Sequence, residues 1–241
     1  MTVKDDCSPE FRWSRGFTER ELELKLKRLA QCPSSGPLSD DEAASDPSWH
    51  HYYSEALIAR EAPGIPNREG KFEQARQAIA RYEFSDPTLV RGYFDSTAAL
   101  NGRSMLLEIK VMGLHVLCGV AVRSVREEQT ADRSLWGFRY DTLAGHVESG
   151  AEWFLLTKDH RTGDVRFRIQ AAWREGTLPS WWSRLGFQLF ARSYQRAWHR
   201  SAYVRLRTLL QARDLPDLPH LRALVQPWQP PIAAPLNELE S

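Results

Sequence analysis

Between Leu107 and Trp173 the apolar residues of this chain fall in short segments, three of them alternating at every second position, and on either side of that stretch they recur every three or four. The first period belongs to strands and the second to helices. The chain therefore has to fold as helices, then a run of strands, then a helix. The clearest strand is Val165–Trp173, where Val165, Phe167, Ile169, Ala171 and Trp173 alternate with Arg166, Arg168 and Gln170. Leu107–Met112, Val116–Val125, Leu135–Asp141 and Glu152–Lys158 read as further strands, and Trp136, Phe138 and Tyr140 share one face of the third. Gly119, inside an apolar run, predicts a bulge or bend. Tight connections such as Arg161-Thr162-Gly163-Asp164 predict antiparallel pairing, with one face buried and the other wet.

The flanking segments read as helices. Over Glu19–Ala30, Thr18 and Glu21 have the spacing of a capping box, and Leu22, Leu26 and Leu29 share a face. Over Lys71–Tyr82, Phe72, Ala75, Ile79 and Tyr82 do the same, with Pro87 beyond. From about Ser180 a last helix runs for ~30 residues, or ~45 Å, with Gly186 as a point of interruption. Its apolar side is read as Phe190, Tyr194, Ala197, Ser201 and Val204, and its polar side as Arg192, Arg196, His199, Arg200 and Arg207. Cys32–Asp46 and Ala62–Gly70 are loops by composition, and His50–Glu61 is readable as either helix or strand.

This order predicts an α+β fold: a curved antiparallel sheet packed against a long C-terminal helix, with N-terminal helices. Residues 1–61 are expected as an N-terminal helical segment with loops, part of the same domain as a core over 62–213. Residues 214–241 form a Pro-rich tail. A sheet curved around a helix leaves room for an apolar cavity between the two layers.

Composition removes several classes. Of 241 residues 42% are hydrophobic, enough for a core, and the net charge of +1 favours no polyanionic partner. Cys7, Cys32 and Cys118 contain no CxxC pair, which argues against a disulfide framework or zinc knuckle and for a reducing, cytoplasmic compartment. Met1–Glu10 lacks the apolar segment of a signal peptide, and no run reaches the ~18–20 apolar residues of a membrane span. No phosphate-loop, nucleophile-elbow, zincin or dinucleotide motif is present, and no cofactor is implied.

The segment from Trp136 to Phe154 resembles the signature of uncharacterised protein family 0548. Gly137, Phe138, Tyr140, Thr142, Leu143, Gly145, His146, Gly150, Glu152 and Phe154 match it, while Asp141 stands in place of a Gly and Ala151 in place of a Glu. The resemblance covers roughly Phe17 to Leu210. It implies the helix-grip fold of START domains and the birch-pollen allergen, whose members hold apolar molecules between sheet and helix. No activity comes with it, since fold does not imply function.

Within that signature Tyr140, Asp141, His146, Glu148 and Glu152 fall close together. His146 with Glu152, and Tyr140 beside them, is a candidate acid–base set. His146 and Glu148 with Glu152 or Asp141 could also offer a metal three ligands, although the spacing is not diagnostic and no metal site is assigned. The plainer alternative is that His146 hydrogen-bonds loop backbone, the glycines shape the turn, and Glu152 pairs with an Arg. His50 and His51 read as packing residues. Leu178–Arg213 holds seven Arg and no Asp or Glu, so Arg192, Arg196 and Arg200 form a ridge, expected to pair with acidic residues of the N-terminal region.

Three functions are ranked from this. The first is binding of a small apolar or amphipathic molecule by Trp136, Phe138, Tyr140, His146, Phe167, Ile169, Phe190 and Tyr194. The second is an enzyme on the same cavity. The third is docking of the Arg ridge, with Trp181-Trp182 as an anchor, on an anionic membrane surface or nucleic acid.

Overall fold

The computed structural model describes residues 7–37, 39–146, 148–175 and 181–212, with side chains described throughout these except at 175 and 181–192. Its strands are β1 (Glu10–Trp13), β2 (His50–Arg60), β3 (Val90–Tyr93), β4 (Ser104–Val111), β5 (Leu114–Gln129), β6 (Arg133–Thr142), β7 (Glu148–Asp159) and β8 (Asp164–Glu175). The helices are α1 (Glu19–Leu29), α2 (Asp40–Ser45), α3 (Lys71–Ala80) and α4 (Trp181–Ala212). The strands form one curved antiparallel sheet in the order β2-β8-β7-β6-β5-β4-β3, with β1 alongside β5. The α+β architecture read from the periodicity is the observed one. The ambiguous segment at 50–60 is the edge strand β2, so the N-terminal part contributes to the sheet as well as carrying helices. The Pro-rich segment 214–241 lies outside the described residues.

Curvature comes from two irregularities. Pairing slips between Val122 and Ser124 on β5, and between Leu57 and Ala59 on β2. An extra residue in one strand bends it and raises its twist. Gly119 is not the bulge it was read as: a Cβ there would lie 2.6 Å from Leu29 Cδ2, so the glycine admits close approach of α1. α1 begins at the predicted capping box, with Glu21 N–H donating to Thr18 Oγ1 and Thr18 N–H to Glu21 Oε2.

The concave face is covered by α3 and α4. Side chains stand on it in rows set by the register: Trp136–Leu156–Phe167–Ala56, then Phe138–Phe154–Ile169–Ser54, then Tyr140–Glu152–Ala171–Tyr52. Phe167 and Ile169 are fully buried, as read. Phe84, from the segment after α3, fills the space above them, its ring 4.9 Å from Phe154, 5.3 Å from Phe167 and 6.2 Å from Trp198. The convex face is not simply wet. Leu22 and Leu29 of α1 pack there on Leu106, Leu117 and Leu143 as a second core. It is polar at β8, where Arg168 pairs with Glu55 at 2.8 Å.

α4 is continuous for 32 residues, through Gly186. Its buried face is Trp198, His199, Ala202, Tyr203, Leu206, Leu209 and Leu210, while Ala197 and Val204 are exposed. The apolar stripe is thus rotated by one residue, about 100°, from the one read. Tyr194 and Ser201 do meet the protein, but through polar tips: Tyr194 Oη donates to Leu89 O at 2.6 Å and Ser201 Oγ to Asp86 at 2.7 Å. Arg196 and Arg200 are exposed and make no ion pair among the described residues, so the expected seam with the acidic N-terminal region is not formed there. Asp40 pairs instead with Arg139, and Glu21 with Arg12. The side chains of Phe190, Arg192, Trp181 and Trp182 lie outside those described.

The cysteines also depart from expectation. Cys7 and Cys32 are joined by a disulfide, with Cys118 free and buried. The argument from cysteine usage to a reducing compartment therefore falls. No helix among the described residues is long and apolar enough to cross a membrane.

Candidate functional site

The row Tyr140–Glu152–Ala171–Tyr52 breaks the otherwise apolar concave face. Glu152, on β7, is buried under α4, and Tyr140 from β6 donates its hydroxyl to Glu152 Oε2. On the other side His199 of α4 brings Nε2 to 3.5 Å from Glu152 Oε1. His199 Nδ1 lies 2.6 Å from Ser54 Oγ on β2, and Tyr203 Oη lies 2.5 Å from that same hydroxyl. One assignment of protons serves all of them. Tyr203 donates to Ser54, Ser54 donates to His199 Nδ1, and the N–H at Nε2 faces the carboxylate. Tyr52 closes the set, its ring edge-on to His199 at 4.7 Å. Burial and the nearby charge of Glu152 push the Tyr140 hydroxyl far up, and burial raises Tyr203 to about 12. Three strands and a helix thus converge on five polar groups inside an aromatic core, where His199 Nε2 stands beside Glu152 without a hydrogen bond of its own.

The signature loop between β6 and β7 sits beside this set. His146 is buried, its Nδ1 accepts the Glu148 N–H at 3.0 Å, and burial lowers its pKa to about 4. Glu148 is half-buried, and loss of solvent with the charge of Glu152 raises its carboxyl to about 7. The loop is clasped from the convex side. Ala144 N–H donates to Pro33 O and Ser35 N–H to Thr142 O, each at 2.8 Å. Gly145 has φ +84° and a Cβ there would stand 2.5 Å from Cys7 O, so no other residue fits. Thr142 braces the loop by accepting the Gly150 N–H at 2.8 Å.

Several residues singled out from sequence are placed apart. Asp141 points to the convex face, paired with Arg139 at 2.7 Å, and cannot join Glu152, which lies across the sheet from it. Glu152 meets Tyr140 and His199 and makes no pair with an Arg among the described residues. His50 packs on Trp173 at 4.7 Å, and His51 Nε2 lies 3.0 Å from Ala43 O. Trp136, Phe138, Phe167 and Ile169 are core. Tyr194 packs at its margin. The histidine brought to Glu152 is not His146 but His199, which sequence reading left among the exposed arginines. Ser54 and Tyr203 were missed altogether, and a helix stripe read one residue further round would have found His199 and Tyr203 together. Among the described residues no three His, Cys, Asp or Glu are arranged to hold a metal ion.

A curved antiparallel sheet closed by a C-terminal helix, with polar groups sealed between them, defines a helix-grip protein. Within that class the chain belongs to the family of a domain of unknown function, DUF1990, whose model matches residues 38–205. This agrees with the resemblance carried by the Trp136–Phe154 signature. No curated protein matches the sequence. Among solved structures the chain is similar to the hypothetical protein jhp0584 from Helicobacter pylori, at 12% identity and a TM-score of 0.42, over 66% of this chain and 86% of that one. It is similar to major latex-like protein 151 from Panax ginseng at 12% identity and a TM-score of 0.36, over 70% and 99%. It is similar to human STARD10 at 10% identity and a TM-score of 0.39, over 88% and 90%.

Proposed function

We propose that this chain binds a small amphipathic molecule between sheet and α4, with its apolar body against the aromatic rows and its polar end at Glu152, His199 and Ser54. The observation that carries the reading is the connected polar set Tyr140–Glu152–His199–Ser54–Tyr203 on an otherwise apolar face. Ligand sites are mostly apolar with a few convergent polar groups that fix orientation. Ala171, opposite Glu152 in the register, has the smallest side chain of that row and obstructs a ligand least. Because Glu152 is a carboxylate in a dry setting, the polar end is a neutral hydroxyl or carbonyl, and a carboxylate is repelled.

Displacement of the neutral fluorophore N-phenyl-1-naphthylamine tests this. Long-chain alcohols or esters are expected to displace it at least about tenfold better than carboxylates of equal length, a difference of ~1.4 kcal/mol. Equal displacement by both, or no saturable uptake, defeats the reading. Native mass spectrometry of the freshly purified protein gives the mass of any occupant.

A second reading has its own support. Arg196 and Arg200 are exposed without an ion pair among the described residues, on a helix face open to an anionic partner. Salt-dependent retention on phosphatidylserine vesicles or on RNA tests it.

A further inference from the structure

We propose that Ser54 is a nucleophile, activated by His199 with Glu152 as the positioning carboxylate, and that the site cleaves carboxylic esters with an apolar acyl chain. The inference rests on the binding reading for the acyl chain, while the reactive serine stands on its own geometry. Ser54 Oγ is 2.6 Å from His199 Nδ1, within the reach a general base requires, and the other ring nitrogen is 3.5 Å from Glu152 Oε1. The carboxylate is itself fixed from behind by the Tyr140 hydroxyl. This is the order nucleophile, base, orienting acid that makes a serine reactive on unrelated folds, where it is recognised by geometry and roles rather than sequence motif. Three different elements, β2, α4 and β7, supply the three groups, which explains why no local motif announces them.

Two further observations support a reaction rather than a purely structural contact. Ser54 lies on the sheet's edge strand and is half-buried, whereas Glu152 and His199 are buried. Tyr203 Oη, 2.5 Å from Ser54 Oγ, donates to that hydroxyl in the proton assignment above, which directs the Ser54 proton to His199 Nδ1.

The steps balance without a cofactor. Ser54 Oγ bonds to the ester carbonyl carbon as its proton passes to His199 Nδ1, giving an imidazolium that faces Glu152. The tetrahedral adduct collapses, the bond from carbon to the alcohol oxygen breaks, and His199 returns the proton to that oxygen. The alcohol leaves and Ser54 carries the acyl group. Water then adds to the acyl carbon while giving a proton to His199. The bond to Ser54 Oγ breaks, Oγ takes the proton back, and a carboxylic acid is released.

The test is labelling of the intact chain with an alkyl fluorophosphonate, followed by intact mass and peptide mapping. The expected result is one adduct, on Ser54, with none in Ser54→Ala and a labelling rate about 100-fold lower in His199→Gln. Glu152→Gln should slow labelling and move the acid limb of its pH profile to lower pH, because the imidazolium loses its counter-charge; a merely structural role would not move that limb. An unlabelled wild type, or an adduct mapped to another residue, overturns the proposal whatever the variants do. The fluorophore displacement separates the two ideas. Displacement by esters without labelling sinks the nucleophile and leaves binding, and labelling of Ser54 without displacement does the reverse.

Discussion

Glu152 and His199 face each other across the sheet–helix interface at 3.5 Å, and each is held from its far side by a hydroxyl, that of Tyr140 on Glu152 and that of Ser54 on His199. Removing the carboxylate leaves the Tyr140 hydroxyl without its acceptor and the imidazole without the charge it faces. Glu152→Leu is expected to cost about 3–5 kcal/mol in urea melts, as loss of one member of a buried pair does. Glu152→Gln keeps an acceptor for Tyr140 and should cost about 1–2 kcal/mol. A Leu variant as stable as the Gln variant would mean that the pair does not hold α4 to the sheet.

Phe84 and Phe167 are both fully buried with ring centres 5.3 Å apart. Phe84 reaches the core from outside the sheet and so acts as a wedge between it and α4. Each truncation to Ala is expected to lower stability by about 3–5 kcal/mol. The Phe84→Ala cavity lies against Phe154 and Trp198, so this variant should take up more N-phenyl-1-naphthylamine than wild type. A cost below ~1 kcal/mol for Phe167→Ala would contradict its place at the centre of the core.

The Cys7–Cys32 bond closes a loop spanning 25 positions and brings both cysteines to the signature loop, through Cys7 O at Gly145 and Pro33 O at Ala144. Reduction by dithiothreitol should lower stability by about 3 kcal/mol. Amide exchange should rise first at Ala144 and Ser35, whose N–H groups donate across that clasp to Pro33 O and Thr142 O. Unchanged exchange at those amides under reduction would show that the clasp holds without the bond.

The sheet and helices were legible because a buried face has a period. Phe167, Ile169, Phe138 and Tyr140 were placed correctly from alternation alone, and α1 from its capping box. What escaped was set by long-range contact. β1 and β3 are only four residues each, too short to show a period. Gly119 is a glycine because α1 crosses it, and α1 lies some 90 residues earlier in the chain. On α4 two stripes compete, Tyr194–Ala197–Ser201–Val204 and Trp198–Ala202–Leu206–Leu209. Only the packing against β2 and α3 decides between them, and His199 followed that decision inward. Ser54 carried no signal because a single hydroxyl within β2 acquires meaning only from the helix residues opposite it.

The two displaced groups of the signature loop should act on stability with opposite signs. His146 is lowered from 6.5 to about 4, so the unfolded chain binds more protons between these values. Its contribution therefore rises with pH through that window, is complete above 6.5 and is lost as pH falls. Glu148 is raised from 4.5 to about 7, so the folded chain binds more protons there, and its contribution falls with pH over that window. Wild type should show a shallow profile from pH 4.5 to 6.5 because the two offset. Glu148→Gln should leave a rise between pH 4 and 6.5, and His146→Asn a fall between pH 4.5 and 7, each of about 1–3 kcal/mol. Urea melts at pH 4, 5.5 and 7.5 read both, and variants that merely reproduce the wild-type profile would refute the assignment.

Arg196 and Arg200 stand four residues apart on the exposed side of α4, with no ion pair among the described residues. Like charges at that spacing repel by a few tenths of a kcal/mol. Helix propensity does not require them, since Glu and Gln form helices as well as Arg does. The favourable effect of cations on a helix C-terminus fades within the last turn, which ends at Ala212 and lies beyond Arg200. Nothing in the described structure therefore stabilises the pair, and its charge reversal should be tolerated. Arg196→Glu is expected to leave stability within about 0.5 kcal/mol of wild type. It also creates an i,i+4 Glu–Arg pair with Arg200, so any change should be a small gain. If the ridge serves an anionic partner, wild type is retained on phosphatidylserine vesicles at low salt, released as the Debye length shrinks to about 8 Å near 0.15 M, and Arg196→Glu is not retained at all. A marked fall in melting temperature on charge reversal would mean that Arg196 is held by an acidic group inside the fold, and the exposed-ridge reading would then be abandoned.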